Sequence, residues 1–83
     1  MTLDLRTFDQ ARDKLDCLEG SGRSVYGIER VVLSGSSIIP DLNGIADFSE
    51  VADASPDISI VAAKKFLSEY GQDENERFVI EHS

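Results

Sequence analysis

The spacing of apolar residues predicts a first helix directly after Thr7. Thr7 and Gln10 have the pattern of a capping box, in which each side chain bonds a free backbone group of the other residue. Apolar residues then recur at helical spacing on one face, at Phe8, Ala11, Leu15 and Leu18. Gly20 is expected just past the helix end, where a left-handed residue is common. Cys17 lies beside the apolar stripe, and we expect it to be partly buried.

A second long helix is predicted from Pro56 to about Tyr70. Ser55 followed by Pro56 is a strong helix start, because serine caps the first turn and proline needs no hydrogen bond there. Its apolar residues form a broad arc: Ile60, Ala62, Ala63, Phe66, Leu67 and Tyr70. Before it, a short helix near 48–54 is expected to begin with Asp47 as cap and Glu50 as the returning half of a capping box.

Residues 25–33 are rich in β-branched and aromatic types and predict a strand. Gly27 weakens the first half of this strand, so the strand is expected either to begin near Ile28 or to carry a bulge at Gly27. Residues 34–37 form a turn cluster after the strand. At the N-terminus, the alternation in residues 2–6 is typical of either a short edge strand or a lead-in segment.

Two further strands are predicted. Residues 38–39 form a short strand that closes a hairpin and ends at Pro40, and residues 41–44 are expected to be loop. Residues 77–81 form the last strand after a polar loop at 72–76. The simplest way to bury all these stripes is an α+β, two-layer domain over 1–83, with two main helices and a short helix packed on one face of a sheet of two to four strands.

The predicted core follows from this arrangement. It consists of apolar residues on the inward faces of the predicted elements: Phe8, Leu15, Leu18, Val31, Leu33, Phe66, Leu67, Phe78 and Ile80. With 83 residues and 41% hydrophobic content, the chain is large enough for one small core and too rich in apolar residues for a disordered tail.

Composition favours a reducing compartment. Cys17 is the single cysteine, so no intramolecular disulfide can form, and a secreted domain of this size would usually need such staples. No apolar run approaches the roughly 20 residues of a membrane span, and the N-terminus lacks the pattern of a signal peptide. A cytoplasmic location is therefore expected.

Candidate chemistry is sparse. Cys17 and His82 are the single cysteine and the single histidine, and they are far apart in sequence, so neither a zinc site nor a cysteine–histidine catalytic pair is expected. Residues 41–44 and 73–76 contain acids but lack the alternating oxygen ligands of a calcium loop. The glycine-rich segment 20–23 follows a predicted helix and does not precede one, unlike a phosphate-binding loop. We therefore expect no catalytic residue, metal or cofactor.

The distribution of charge is more informative. The net charge is −8, which disfavours direct binding to nucleic acid or to anionic membranes. Residues 31–76 contain nine acids and two bases, and no Lys or Arg occurs from 31 to 63. The predicted partner-binding residues are acids of this segment: Asp41, Asp47, Glu50, Asp53, Asp57, Asp73, Glu74 and Glu76. The alternative is that these acids only cap helices and keep loops hydrated.

The leading functional hypothesis is a non-enzymatic protein that binds and blocks a basic, nucleic-acid-binding site on a partner protein. A dense negative surface speeds encounter with such a partner and can imitate the phosphates of a nucleic acid. In composition alone, the chain is similar to phage-encoded inhibitors of nucleic-acid-processing defence systems. Two alternatives remain open: an antitoxin or immunity protein that neutralises a basic toxin, and a structural or accessory subunit.

Overall fold

The computed structural model describes residues 4–83, which fold into three helices and one three-stranded sheet. In chain order the elements are α1 (Phe8–Leu18), β1 (Val25–Ser34), β2 (Ser37–Asp47), α2 (Ser49–Ala54), α3 (Pro56–Leu67) and β3 (Glu76–His82). The sheet is antiparallel with the order β2-β1-β3, and all its neighbours pair antiparallel. The predicted α+β class, with two main helices and a short one on a small sheet, is confirmed.

The two main helices begin where the capping signals predict. The hydroxyl of Thr7 accepts a hydrogen bond from the Gln10 amide at 3.2 Å, and the Gln10 side chain accepts one from the Thr7 amide at 2.9 Å. At α3 the Ser55 hydroxyl accepts from the Ile58 amide, and Pro56 occupies the first turn. These bonds satisfy amides that have no partner inside the helix, so they define both helix starts from within a few residues of sequence.

Three local predictions are wrong. α3 ends at Leu67 instead of near Tyr70, because the Ser68 hydroxyl donates to the Lys65 carbonyl and competes with continued helical bonding. Cys17 is exposed, not partly buried. The predicted capping box of α2 does not form, because Phe48 occupies the cap position and makes no side-chain bond there.

The second strand differs most from the prediction. β2 runs for 11 residues and passes through Pro40, which pairs with Val31. Proline is tolerated here because β2 is an edge strand, where a missing N–H disrupts no second ladder. Between the pairs Val31–Pro40 and Glu29–Ile45, the segment 41–44 lies opposite the single residue Arg30, as a wide bulge. The predicted loop is therefore part of the strand.

The third strand is one residue longer at each end than predicted, since Glu76 pairs with Val32 and His82 pairs with Val25. A register shift between Val25 and Gly27 confirms one of the two alternatives expected at this glycine, a bulge. The other, a strand that begins near Ile28, is wrong, because β1 begins at Val25. Of the predicted N-terminal strand at 2–6, residues 2 and 3 lie outside the described residues. Arg6 forms an isolated bridge with Phe78 beside β3.

The predicted core is confirmed. Five of its nine residues are buried and four are half-buried, and none is exposed. Phe78 is fully buried and lies at the centre of an aromatic group with Phe8 and Tyr70, whose ring centroids are 6.4 and 6.0 Å away. This core joins α1 and α3 to the middle of β1 and β3.

The sheet has two ends that matter for function. At the α2 end, β1 begins and β3 finishes, and the Ser24 hydroxyl donates to the carbonyl of Ala52 in α2. At the hairpin end, β1 turns into β2 through Gly35, which has the positive φ of 59° that favours glycine. Val25 and Val32 mark these ends on β1, and seven residues of strand separate them by about 23 Å.

The sheet also has two faces. Ile28 and Ile80 pair in one row, belong to the core or pack against it, and face the helices. Since side chains alternate along a strand, the neighbouring rows face the other way. This open face carries Gly27 between Asp47 and Glu81. Two residues further along β1, the same face carries Glu29 between Ile45 and Val79.

Candidate binding surface

The eight predicted binding acids do not form one surface. Four of them lie at the α2 end, on or beside α2 and at the start of α3: Asp47, Glu50, Asp53 and Asp57. The other four belong to the β2 bulge and to the turn that leads into β3: Asp41, Asp73, Glu74 and Glu76. Since the two groups lie at different ends of the strands, the predicted continuous patch is divided.

Two acids of the second group are used inside the fold. Arg30 Nη1 donates to Asp41 Oδ2 at 2.8 Å, and Arg30 Nε donates to Glu76 Oε1 at 3.1 Å. The Glu76 side chain is 3% exposed, so its predicted place on a binding surface is wrong. The Arg30 guanidinium also lies 4.9 Å from the centre of the Tyr70 ring. Arg30 therefore holds the bulge, β3 and the end of α3 together.

The arginine stays charged in this partly buried position. Burial by itself opposes the charge, but the hydrogen bonds to Glu76 and Asp41 outweigh it and raise the pKa of Arg30 above its ordinary value. The remaining two acids, Asp73 and Glu74, are exposed in the turn. Arg77 donates from Nη1 to the Glu74 carbonyl at 2.8 Å, which places a positive charge beside this turn.

The α2-end acids behave differently. Among residues 4–83, no ion pair involves Asp47, Glu50, Asp53 or Asp57. Glu50, Asp53 and Asp57 are exposed, and so is Asp47. Arg23 directly precedes Ser24, whose hydroxyl bonds Ala52 of α2, so one base is near this end in sequence, against four carboxylates that have no ion pair among the described residues. The α2 end is therefore a region of uncompensated negative charge.

The acids of α1 provide the contrast. Asp9 pairs with Arg12 at 3.3 Å, as its spacing predicts. Lys64 of α3 binds both Asp16, at 2.8 Å, and Glu19, at 2.6 Å. Hydrogen bonds to these two carboxylates raise the pKa of Lys64. The field around α1 is therefore partly cancelled by neighbouring bases.

Asp47 joins the acidic end to the open face of the sheet. Its Oδ1 accepts a hydrogen bond from the Ser49 amide at 2.8 Å, so it supports the start of α2 without occupying the cap position. Hydrogen bonds from the side chain and the backbone of Ser49 lower the pKa of Asp47, because they favour its charged form. Asp47 is consequently a fixed negative charge at the border of two surfaces.

A shallow groove of about 380 Å³ lies beside Asp47 on the open face. Its lining includes three carboxylates, of Glu29, Asp47 and Glu81, together with Tyr26 and Ile45. Glu29 and Glu81 were not among the predicted binding residues. The signal in the sequence was the interior strand glycine at 27, which often marks a place where another group approaches the backbone closely. Identifying both acids also required the strand register, which no local pattern provides.

Cys17 and His82, the candidate nucleophile and the candidate base, do not line this groove. Cys17 lies on the outer side of α1, near Arg6 and Lys14. His82 pairs with Val25, and its Nδ1 contacts the Ser83 carbonyl at 2.9 Å. Within residues 4–83, no group of three or more histidine, cysteine or acidic side chains is placed to hold a metal ion. No helix in this part of the chain is long and apolar enough to cross a membrane.

Comparison of the chain with family models, with curated proteins and with solved structures finds no match. The α2 end and the groove beside it are the two features of the protein whose geometry and charge indicate a function.

Proposed function

We propose that the protein is a non-enzymatic, cytoplasmic binding protein that docks its acidic α2 end onto a basic surface of a partner protein and blocks that surface. The partner site is one that normally binds nucleic acid, so that carboxylates of this chain take the place of phosphates. The protein itself does not bind nucleic acid or membranes, because its net charge of −8 repels both.

One observation carries the proposal. The acids of the α2 end are exposed and have no ion pair within the described chain, whereas two acids of α1, and Glu19 just after it, are paired with Arg12 or Lys64. Uncompensated charge is destabilising through self-repulsion, so its concentration in one region is typical of a surface that gains its counter-charge from a partner. Charges at an interface rim act mainly on the association rate, through long-range steering.

A basic toxin is a second partner of the same chemistry, and an antitoxin or immunity protein would use the same surface. An accessory subunit is a different class, and exposed apolar residues favour it. On β2, Leu42 is 83% exposed and Ile45 is 52% exposed; on α3, Val61 is 63% exposed. An interface built on these residues would bury apolar area and depend little on salt.

The test compares two pairs of neutralised acids. Glu50→Gln with Asp53→Asn removes two charges from the α2 end, and Asp9→Asn with Asp13→Asn removes two from α1. Both pairs are exposed, so both variants are expected to fold. A tagged wild-type protein first captures partners from the cells that express it. Purified candidates are then assayed for loss of nucleic-acid binding when each variant is added in stoichiometric amount.

The α2-end variant is expected to associate about tenfold more slowly with the captured partner at low salt, and to inhibit it less. The α1 variant is expected to change the rate less than twofold. Cys17→Ser and His82→Gln leave inhibition unchanged if no chemistry is involved. Equal effects of the two acid pairs, or a partner whose nucleic-acid binding is unaffected, would reject the proposal in favour of an accessory subunit.

A further inference from the structure

We infer that the groove on the open face of the sheet receives an arginine side chain of the basic partner, seated over Gly27 between the carboxylates of Asp47 and Glu81. This inference rests on the proposed function and specifies where the partner's basic segment is held. It adds a point of close contact on the sheet face, beside the acidic α2 end.

The register of the sheet creates the shape of the groove. Gly27 has no side chain, and its two partners in the same row are Asp47 on β2 and Glu81 on β3. Since neighbouring strands are about 4.8 Å apart, the two acidic residues stand about 10 Å apart across an empty position. Glu81 Oε2 lies 3.7 Å from the point that a Cβ at Gly27 would occupy. One carboxylate therefore already leans over the glycine.

The walls of the groove suit a planar cation. Glu29 adds a third carboxylate one row along, and Tyr26 and Ile45 add an aromatic ring and an aliphatic side chain. No Lys or Arg is among the residues that line this groove. A guanidinium can bond two carboxylates through its fork of donors while its flat face stacks on a tyrosine ring, whereas an ammonium offers a single point charge.

The molecule contains a filled arrangement of the same kind on its other face. There Arg30 bonds the carboxylates of Asp41 and Glu76 at 2.8 and 3.1 Å and lies 4.9 Å from the Tyr70 ring centre. In that site one guanidinium is bound by two carboxylates and a tyrosine ring, which come from two neighbouring strands and an adjacent segment. The open-face groove has the same three kinds of group, and no Lys or Arg is among its described lining residues, so the groove is open to the guanidinium of another chain.

The occupant is an extended basic segment of a protein. The groove lies on a sheet face next to the edge strand β2, whose outer side pairs with no other strand of residues 4–83. Apolar residues of that strand, including Ile45 at 52% exposure, flank the carboxylates. A segment in which arginines alternate with apolar residues therefore matches both the charge and the apolar area of this face.

The test uses a defined probe, an acetylated and amidated Val-Arg-Val-Arg-Val peptide, titrated into isotope-labelled protein while amide resonances are followed by NMR. Analogues with lysine or with uncharged citrulline in place of arginine are the ligand controls. Two changes alter the groove: Glu29→Gln with Glu81→Gln, and Gly27→Ala. Gly27 does not have a positive φ, so its backbone conformation allows alanine. The added methyl group would lie 3.1 Å from the Ala46 carbonyl oxygen, which is closer than ordinary contact, so β2 must shift by a few tenths of an ångström. Circular dichroism of this variant therefore accompanies the titration. Asp9→Asn with Asp13→Asn, both exposed on α1, is the control of equal charge outside the groove.

The arginine peptide is expected to bind about threefold or more tightly than the lysine peptide, with shifts centred on Gly27, Glu29 and Glu81. Each groove variant is expected to weaken binding about fivefold or more, and the α1 control less than twofold. Equal affinity of the two charged peptides, or shifts centred on α2, would overturn the inference. If Glu50→Gln with Asp53→Asn weakens binding to the native partner and the groove variants do not, the inference fails alone; if neither weakens it, the proposed function fails as well.

Discussion

Removal of the Arg30 side chain is the sharpest test of how this fold is held together. Arg30 contacts three separate segments: the β2 bulge through Asp41, the start of β3 through Glu76, and the ring of Tyr70 after α3. Arg30→Ala therefore removes one side chain and leaves two carboxylates without their cation. The consequences for the two carboxylates differ because their burial differs.

The magnitude follows from that burial. The Glu76 side chain is 3% exposed, and a buried charge that loses its partner costs about 3–5 kcal/mol. The Asp41 side chain is 23% exposed and can be hydrated, so its loss adds less, about 0–1 kcal/mol. A domain of 83 residues has a total free energy of unfolding of about 4–12 kcal/mol. The substitution is therefore expected to remove about a quarter or more of the stability.

The assay is urea unfolding followed by far-ultraviolet circular dichroism at neutral pH, because the chain has no tryptophan for fluorescence. Lys64→Met is the matched control. Lys64 also bridges two carboxylates, but those of Asp16 and Glu19 are 59% and 60% exposed, so the expected cost is below about 1 kcal/mol. Arg30→Ala combined with Glu76→Leu should recover about 1–2 kcal/mol relative to Arg30→Ala, because the unpaired buried charge is gone.

A loss of less than about 1 kcal/mol for Arg30→Ala would refute this reasoning, because a buried carboxylate without its cation costs more than that. So would a double variant that is less stable than the single one. Either result would mean that Glu76 reaches water or another donor once Arg30 is removed, and that the bulge of β2 is held by backbone pairing alone.

Three further outcomes are expected. Ser49→Ala should raise the pKa of Asp47 toward its ordinary value, and carboxyl-detected NMR titration of both proteins measures this shift. Because the pKa is lowered in the folded protein, Asp47 contributes stability at and above ordinary aspartate pKa values. That contribution is lost as the pH falls through the lowered pKa. Phe78→Ala should lower the free energy of unfolding in urea by about 3–5 kcal/mol, because Phe78 is fully buried. Phe66 is half-buried, so Phe66→Ala should lower it by less, about 2–3 kcal/mol. The reverse order would contradict the core described above. Pro40→Thr should promote association of two copies of the protein through their β2 edges, because it restores an N–H to an edge strand that proline protects. An unchanged sedimentation coefficient at high protein concentration would argue against that role.

Local sequence determined the helices and the first turn of the sheet. The capping box of Thr7 and Gln10 and the Ser55–Pro56 pair define helix starts through bonds that span at most three residues, so no distant contact is needed. The bulge at Gly27 is likewise one of the two alternatives that local sequence predicts, because a glycine inside a strand weakens regular pairing.

Tertiary structure alone decided where β2 ends and which acids remain exposed. Pro40 and the segment 41–44 have the composition of a turn, yet β2 continues through them. Pro40 pairs with Val31, pairing with β1 resumes at Ile45, and Arg30 bonds Asp41 inside the bulge. Arg30 and Glu76 are 46 residues apart, so only the fold could show that this acid is buried and neutralised. Likewise, Asp47, Glu29 and Glu81 meet around Gly27 through the register of three strands, a relation that depends on pairing and not on sequence spacing.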